Sequence, residues 1–388
     1  MAEQSEGIKA PFTNRLPRST DARSTGAGLD MRYTDDMTSR ERVLRVLNHQ
    51  EADRIPIQDV PWDHTLRRWH QEGMPEAVSP ADYFGYELYS LGPDISLQLS
   101  EETLEETESF RIYRDSKGAI LRSFKDHEST PETLDFTVNS PETWQEHKWR
   151  LQWNDTRVNW DALLQANRDW RGQGKFIQYF AHIGFDWLQR IVGAETLLVA
   201  MLQEPDWVED MMRTLMDLVI RGCEEMLARG FEFDGVYVAN DMGYRNGALF
   251  SPALYRQFEL PQQSRMCDYF TEKGLPVILH SCGNVTEFVP MLIQAGFTCL
   301  QPLEVKSGMD LVGLKRKFGD RLCFMGGIDA RAMADPDPAV IEAEIANKIP
   351  IAKEGGGYIY HSDHSVPSDV SFQQYQRVME LVGQYGAY

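Results

Sequence analysis

The feature that most constrains the fold is a regular alternation of strand-like and helix-like segments after residue 175. Short apolar runs end at polar residues or glycines, and amphipathic stretches of about ten or more residues follow them. This rhythm predicts a parallel sheet wrapped by helices, and with the earlier segment IPIQDV it gives at least seven strands, which favours a (β/α)8 TIM barrel over an open sheet. The predicted strands after residue 175 are 175–181, 235–241, 276–283, 297–304, 322–329 and 357–364.

The segments before residue 175 are expected to decorate this barrel. Residues 1–36 are polar and have no apolar period, which is typical of a flexible N-terminal extension, and residues 37–388 form the barrel domain. Thr38 and Glu41 predict a capped helix start, and Lys117-Gly118 between two alternating runs predicts a β-hairpin. Residues 139–170 are expected to be helical.

Composition narrows the class of partner and the compartment. The net charge of −20 argues against a nucleic acid or an anionic membrane as the partner. Five cysteines, an odd and sparse set, favour a reducing compartment, so we expect a cytoplasmic protein. No apolar stretch reaches transmembrane length, and a homodimer is compatible with the sequence but not specified by it.

The segment PVILHSCGN, residues 276–284, carries the strongest chemical signal. It begins as a buried strand and then presents His280 and Cys282, which project to the same side of an extended chain. Both side chains are good zinc ligands, and the C-terminal ends of barrel strands are where such folds place their chemistry. Taken alone, this pair is more often a buried cysteine beside a hydrogen-bonded histidine.

A third ligand is available at the end of the last predicted strand. His361, Asp363 and His364 follow it, and in a closed barrel they could meet His280 and Cys282 across the opening. Three protein ligands and one open position are typical of catalytic zinc. No glycine-rich dinucleotide or phosphate-binding motif follows any strand.

Several motifs between about residues 38 and 383 together resemble the uroporphyrinogen decarboxylase superfamily, and within it the corrinoid-linked methyltransferases. The H-S-C-G segment starting at His280 is similar to the zinc motif of those methyltransferases, and Gly326-Gly327-Ile328-Asp329 resembles a family turn. The remaining motifs are Thr38-x-Arg40-Glu41-Arg42, Asp53-Arg54-Ile55-Pro56, Gly193-Ala194-Glu195, Glu204-Pro205, Ser251-Pro252, Phe258-Glu259-Leu260-Pro261 and the closing stretch from Gly356 to Pro367.

The resemblance implies a distorted TIM barrel and a zinc-dependent methyl transfer. The functional residues fall into zinc ligands, catalytic residues and substrate-binding residues. His280, Cys282 and His364 would bind zinc, and a partner protein would supply the corrinoid, because the sequence contains no cobalamin-binding signature. The proposed catalytic residues are Asp241, Glu259 and Asp363, and the substrate-binding candidates are Trp62, His64, His182 and Tyr360.

Two departures from the family pattern keep alternatives open. The decarboxylases carry an arginine-rich stretch after the first strand that grips substrate carboxylates, whereas this chain has Pro61-Trp62-Asp63-His64-Thr65. The thiol methyltransferases usually have a cysteine where His364 stands. Zinc with two histidines and one thiolate keeps a net charge of about +1, which suits release of an oxygen-centred leaving group from a small O-methyl substrate. The reverse transfer, from a methyl-corrinoid to a thiol, stays open within the same class. The alternatives outside it are a metal-free decarboxylase of a carboxylated substrate and a non-enzymatic binding protein on an inactivated barrel.

Overall fold

The computed structural model describes residues 36–125 and 131–388. Its centre is a seven-stranded parallel sheet in which each strand pairs with the next along the chain, so that the sheet curls toward a barrel. The strands, in their order in the sheet, are Leu88–Leu91, Phe176–His182, Gly235–Ala239, Val277–His280, Cys299–Gln301, Cys323–Met325 and Tyr358–Ile359.

The extended segment 55–60 closes the gap between the two edges of this sheet. Ile57 bridges to Tyr360 in parallel on one side, and its carbonyl accepts the backbone N–H of Glu87 on the other. The predicted strand here is therefore a short bridge within an extended chain. Leu88–Leu91 was not predicted as a strand, but the TIM-barrel-like α/β fold is confirmed.

Helices cover the outside of the barrel, as the alternation predicted. The longest of them, Pro205–Ala228, has twelve buried residues along its apolar face. The helices are Ser39–Leu47, Asp63–Gln71, Pro80–Phe84, Pro141–His147, Trp160–Gly172, Gly184–Val192, Ala194–Gln203, Pro205–Ala228, Pro252–Leu254, Leu260–Glu272, Val289–Ala295, Leu311–Phe318, Ala330–Ala334, Pro338–Lys353 and Phe372–Gly386, with a π-helical turn at Tyr255–Glu259 and 3-10 turns at Lys148–Leu151, Asp155–Arg157, Thr286–Phe288 and Val305–Ser307.

The first helix, Ser39–Leu47, plugs the bottom of the barrel, where the strands begin. The capping box between Thr38 and Glu41 fixes its start, as predicted. Val43, Val46 and Leu47 pack against the inward-facing side chains of the strands in a separate buried cluster. Within residues 36–125 and 131–388, the opposite end of the barrel, where the strands finish, is left open for a binding site.

The segment between the first two strands of the barrel sheet forms a second, separate sheet. Its four antiparallel strands are Glu102–Glu106, Phe110–Arg114, Ala119–Phe124 and Glu132–Phe136, and the predicted hairpin turn at Lys117-Gly118 joins the middle two. The predicted helix over 139–170 is instead broken into two helices and two 3-10 turns. Small strands at Gly243–Tyr244 and Gly247–Ala248 form a hairpin beside the top of the barrel.

The predicted extension lies almost entirely outside the described residues, since only Asp36 is described. Among residues 36–125 and 131–388, no helix is long and apolar enough to cross a membrane.

Candidate active site

The strand Val277–His280 delivers the predicted histidine and cysteine to the top of the barrel. His280 is its last residue and is buried, whereas Cys282 follows in the loop and is partly exposed. The Nε2 atom of His280 lies 3.4 Å from the Sγ atom of Cys282. The two side chains therefore point to the same place, as their spacing predicted.

Two glycines allow a neighbouring loop to bring a carboxylate to this pair. Gly283 has φ +78°, and a Cβ there would lie 2.3 Å from the backbone of Gly243, so the two loops touch backbone to backbone. This contact holds Asp241 in place: its Oδ1 accepts the backbone N–H of Cys282 at 2.8 Å and lies 3.3 Å from His280 Nε2.

A second pair of ligand atoms approaches Cys282 from the other side. The candidate ligand atoms of Cys282, Glu304 and His364 all lie within 4.8 Å of one another. Glu304 is held by the backbone N–H of Gly283 at 2.9 Å and by the hydroxyl of Ser307 at 2.6 Å. We call the five residues Asp241, His280, Cys282, Glu304 and His364 the mouth cluster.

The donor types and spacings of the mouth cluster fit a zinc ion. Ligand atoms on a tetrahedral zinc lie roughly 3.3–3.6 Å apart, given the usual Zn–N, Zn–O and Zn–S bond lengths. The distances from His280 Nε2 to Asp241 Oδ1 and to Cys282 Sγ, 3.3 and 3.4 Å, fall in that range. His280 and His364 belong to two ligand groups that share Cys282.

The electrostatics of the mouth cluster favour a bound cation. Burial, with the carboxylates of Asp241 and Glu304 nearby, raises the pKa of the Cys282 thiol well above its usual value. Burial pushes the pKa of Asp241 upward, but the charge and hydrogen bond of His280 outweigh it and hold that pKa at about 2. A positive ion would supply the charge that a thiolate beside these carboxylates requires.

Two of the predicted catalytic carboxylates lie outside the mouth cluster. The oxygens of Asp363 accept backbone N–H groups of Val305 and Ala330, each at 2.9 Å, and burial raises its pKa to about 6. Glu259 is buried and accepts hydrogen bonds from the Phe185 backbone, Asn240 and Gln263. Both groups therefore hold loops around the site rather than face Cys282.

The four predicted substrate-binding side chains differ in how far they are exposed to solvent. Trp62 is partly exposed, and its ring meets that of His364 edge-on at 5.9 Å, so it lies beside the mouth cluster. His64 is exposed on the helix Asp63–Gln71, and His182 stacks on Trp187 with ring centroids 4.9 Å apart. Tyr360 is fully buried and its hydroxyl donates to Asp59 at 3.4 Å, and its role toward a substrate stays a prediction.

Sequence reasoning missed Glu304, and it also missed Gln301. The signal that could have found them is the position of polar residues at the C-terminal ends of barrel strands, because both stand at or just after the end of the strand Cys299–Gln301. Neither residue belongs to a recognisable short motif. Only the pairing of this strand with Val277–His280 places them beside His280 and Cys282.

Comparison with known proteins gives the family. A family model described as Uroporphyrinogen decarboxylase (URO-D) matches residues 182–385, more than half of the chain. A uroporphyrinogen decarboxylase of Xanthomonas axonopodis pv. citri (strain 306) is 23% identical over 380 residues, covering 89% of this chain and 98% of the relative. One from Coxiella burnetii (strain RSA 493 / Nine Mile phase I) is 23% identical over 201 residues, and this chain spans about half the length of that relative, 51%.

A solved structure shares the fold. A methyltransferase from Methanosarcina mazei superposes with a TM-score of 0.62 and 16% identity, covering 90% of this chain and 99% of the other. At that identity the likeness concerns the fold alone. Together with the family match, it confirms the resemblance drawn from the motifs: the chain belongs to the uroporphyrinogen decarboxylase (URO-D) family of enzymes.

Proposed function

We propose that this protein is a zinc-dependent methyltransferase, which moves a methyl group between a small methylated substrate and a corrinoid carried by a partner protein. The observation that carries the proposal is the convergence of His280 Nε2, a carboxylate oxygen of Asp241 and the Sγ atom of Cys282 at the top of the barrel. A nitrogen, oxygen and sulfur set with these spacings suits zinc better than magnesium or calcium, which prefer oxygen alone.

His280, Cys282 and His364 are the proposed zinc ligands, and Asp241 or Glu304 is the available fourth. When bound, zinc supplies Lewis acidity toward the heteroatom that exchanges the methyl group. With two imidazoles and one thiolate as ligands and the fourth position open to the substrate, the centre keeps a net charge of about +1, so an oxygen-centred leaving group is better stabilised than at a centre with two thiolates. A carboxylate in the fourth position would neutralise this charge until the substrate displaces it. This favours an O-methyl substrate.

The surrounding residues have separate tasks in this proposal. Asp241 is ionised at neutral pH, since its pKa is about 2, so it serves as a ligand or hydrogen-bond acceptor and not as a proton donor. Its bond to the backbone N–H of Cys282 keeps the thiol aimed at His280. Trp62 packs edge-on against His364 and forms an aromatic wall for a small substrate.

The corrinoid part rests on the family branch. The fold neighbour from Methanosarcina mazei is a methyltransferase, and the H-S-C-G motif at His280 resembles that of corrinoid-linked enzymes. A metal-free decarboxylase is the second candidate, because the curated relatives are uroporphyrinogen decarboxylases. The absence of arginine from residues 58–65 weighs against it, since an anionic tetrapyrrole needs cationic partners.

Zinc content is the decisive measurement. We expect about one zinc per chain in protein purified without chelators, and loss of zinc in His280→Ala, Cys282→Ala and His364→Ala. Cys223→Ala, which changes a buried cysteine on the helix Pro205–Ala228, is the matched control and keeps its zinc.

Activity is measured with methoxylated compounds and reduced free cobalamin as the methyl acceptor. Methylcobalamin formation that depends on zinc and is lost with Cys282→Ala supports the proposal. A wild-type protein that neither holds nor takes up zinc contradicts it and favours the decarboxylase.

A further inference from the structure

A chain of buried polar side chains lies inside the barrel, directly beneath the mouth cluster. Tyr237, Gln301 and His361 face one another there, together with His280, and all four are at most 6% exposed. Buried polar groups need hydrogen-bond partners, and in a chain of such groups each donor fixes the role of the next group. The donors and acceptors in this set of side chains can therefore be assigned one after another, starting from a group that can only accept.

That group is the backbone carbonyl of Ser362, which can only accept a hydrogen bond. The Nδ1 atom of His361 lies 2.7 Å from it, so Nδ1 carries the proton. Burial lowers the pKa of His361 and outweighs the Asp59 carboxylate, 3.6 Å from Nδ1, which acts to raise it; this favours the neutral ring. A neutral imidazole with its proton on Nδ1 has a lone pair on Nε2, so that atom is an acceptor.

The side-chain amide of Gln301 lies between His361 and His280, and the acceptor on His361 fixes the orientation of this amide. Its Nε2 lies 3.3 Å from His361 Nε2 and must be the donor of that contact. The amide oxygen therefore faces the other way, where the hydroxyl of Tyr237 lies at 2.8 Å and Nδ1 of His280 at 2.5 Å. Since this oxygen cannot donate, the hydrogen bond holds a proton on His280 Nδ1.

We propose that Gln301 is a positioning residue that keeps a proton on Nδ1 of His280, so that Nε2, which in the metal-free protein faces Asp241 Oδ1 at 3.3 Å, is the nitrogen that gives up its proton to bind a metal ion beside Cys282. The neutral tautomer with its proton on Nε2 would block that ligand position. Tyr237 reinforces the arrangement, because its hydroxyl donates to the same oxygen of Gln301. The inference rests on the proposed function in one respect, the binding of zinc by His280.

Three variants separate positioning from packing. Gln301→Leu removes both the acceptor and the donor at nearly constant volume. Gln301→Glu keeps an oxygen for His280 Nδ1 and is the conservative rescue. Gln178→Leu is the matched control, because Gln178 is also fully buried in a barrel strand but bonds Ser90 and not the histidines.

Zinc affinity is measured by competition with a chromophoric chelator. We expect Gln301→Leu to bind zinc about 10–100-fold more weakly than wild type, which is the usual effect of losing such an outer partner. Gln301→Glu and Gln178→Leu should stay within about threefold of wild type. Equal zinc affinity in Gln301→Leu and wild type would overturn the inference.

The tautomer is measured without zinc, by nitrogen-15 NMR of histidine-labelled, metal-free protein. The His280 signals are assigned with His280→Gln. In wild type we expect Nδ1 of His280 to be protonated at every pH at which the protein is folded. A neutral ring protonated on Nε2 would overturn the inference even if zinc binds. A protein that takes up no zinc but shows the expected tautomer would refute the proposed function and leave the role of Gln301 intact.

Discussion

The two ends of the barrel carry charged clusters built on opposite rules. At the bottom, Arg42, Asp53, Arg54 and Glu87 form a buried cluster, which we call the basal cluster, with two cations and two anions. The Arg42 side chain bonds both carboxylates, and a guanidinium nitrogen of Arg54 donates to Glu87 at 2.9 Å. Charge is balanced within the basal cluster.

The mouth cluster has no such balance. Its two carboxylates, Asp241 and Glu304, are held by backbone N–H groups and a serine hydroxyl. Asp241 also lies 3.3 Å from His280, and Glu304 lies 3.3 Å from the half-exposed Lys306, so neither has a buried arginine partner of the kind found in the basal cluster. Two acids, a thiol and two imidazoles remain together at the open end. The basal cluster is therefore balanced by the side chains of this protein alone, whereas the mouth cluster has the donor set that the proposed zinc ion would complete.

The largest expected effect tests the basal cluster. Arg42→Met leaves the carboxylates of Asp53 and Glu87 buried without their shared partner, and we expect the free energy of unfolding to fall by about 3–5 kcal/mol. Urea denaturation measures this. Arg265→Met, which breaks an exposed pair with Asp217, is the control and should cost less than about 1 kcal/mol. Similar losses in both variants would show that the basal cluster has no special role.

A charge-removing substitution in the mouth cluster should affect zinc affinity more than stability. Asp241→Asn keeps an oxygen for the Cys282 N–H but removes the charge, so zinc affinity should fall about 10–100-fold. The metal-free protein should lose about 1–2 kcal/mol of stability, less than Arg42→Met loses, because the His280 contact that lowers the pKa of Asp241 is lost with the charge. Chelator competition and urea denaturation measure the two quantities. A loss of stability comparable with that of Arg42→Met would break the contrast between the clusters.

The pH dependence of stability should come in part from the basal cluster. Burial tends to raise the pKa of Asp53, but the Arg42 guanidinium outweighs it and holds that pKa at about 2, below the unfolded value of 3.8. The stabilisation is therefore complete above pH 3.8 and is lost as the pH falls through about 2. We expect the difference in unfolding free energy between wild type and Asp53→Asn to shrink by about 1–2 kcal/mol between pH 5 and pH 2. A constant difference would contradict this.

The smallest expected effect concerns the aromatic wall at the mouth. Trp62→Ala removes the ring that meets His364, and we expect the KM for the methylated substrate to rise about 3–10-fold, the equivalent of about 1 kcal/mol. His64→Ala, on the exposed side of the following helix, should change KM less than about twofold. A larger effect of His64→Ala would restore that residue as a substrate contact.

The fold was predictable because its signals are local and repeated. Each buried strand is a short apolar run with helix signals after it, and Thr38 and Glu41 mark a helix start within four residues. Leu88–Leu91 escaped prediction because its sequence, LYSL, has neither a clear alternation nor a long apolar run. The 139–170 region escaped because tryptophans pack equally well on one long helix or several short ones.

The candidate site was predictable only in part. His280 and Cys282 lie two residues apart, so the geometry of one strand end brings them together. Glu304 and Gln301 reach them through pairing between strands, which a single sequence does not specify. Asp363 and Glu259 stand at positions suited to chemistry, but backbone N–H groups and neighbouring amides occupy their oxygens.

Asp53 has a further consequence for how the protein can be handled. The backbone N–H of Asp36 bonds its carboxylate at 3.0 Å, and the backbone N–H of Tyr388 bonds its carbonyl at 3.3 Å. The first and last described residues thus meet at one point, on the face of the barrel opposite Cys282. A surface tether attached through the side chain of Tyr388 would leave the opening turned toward the solution.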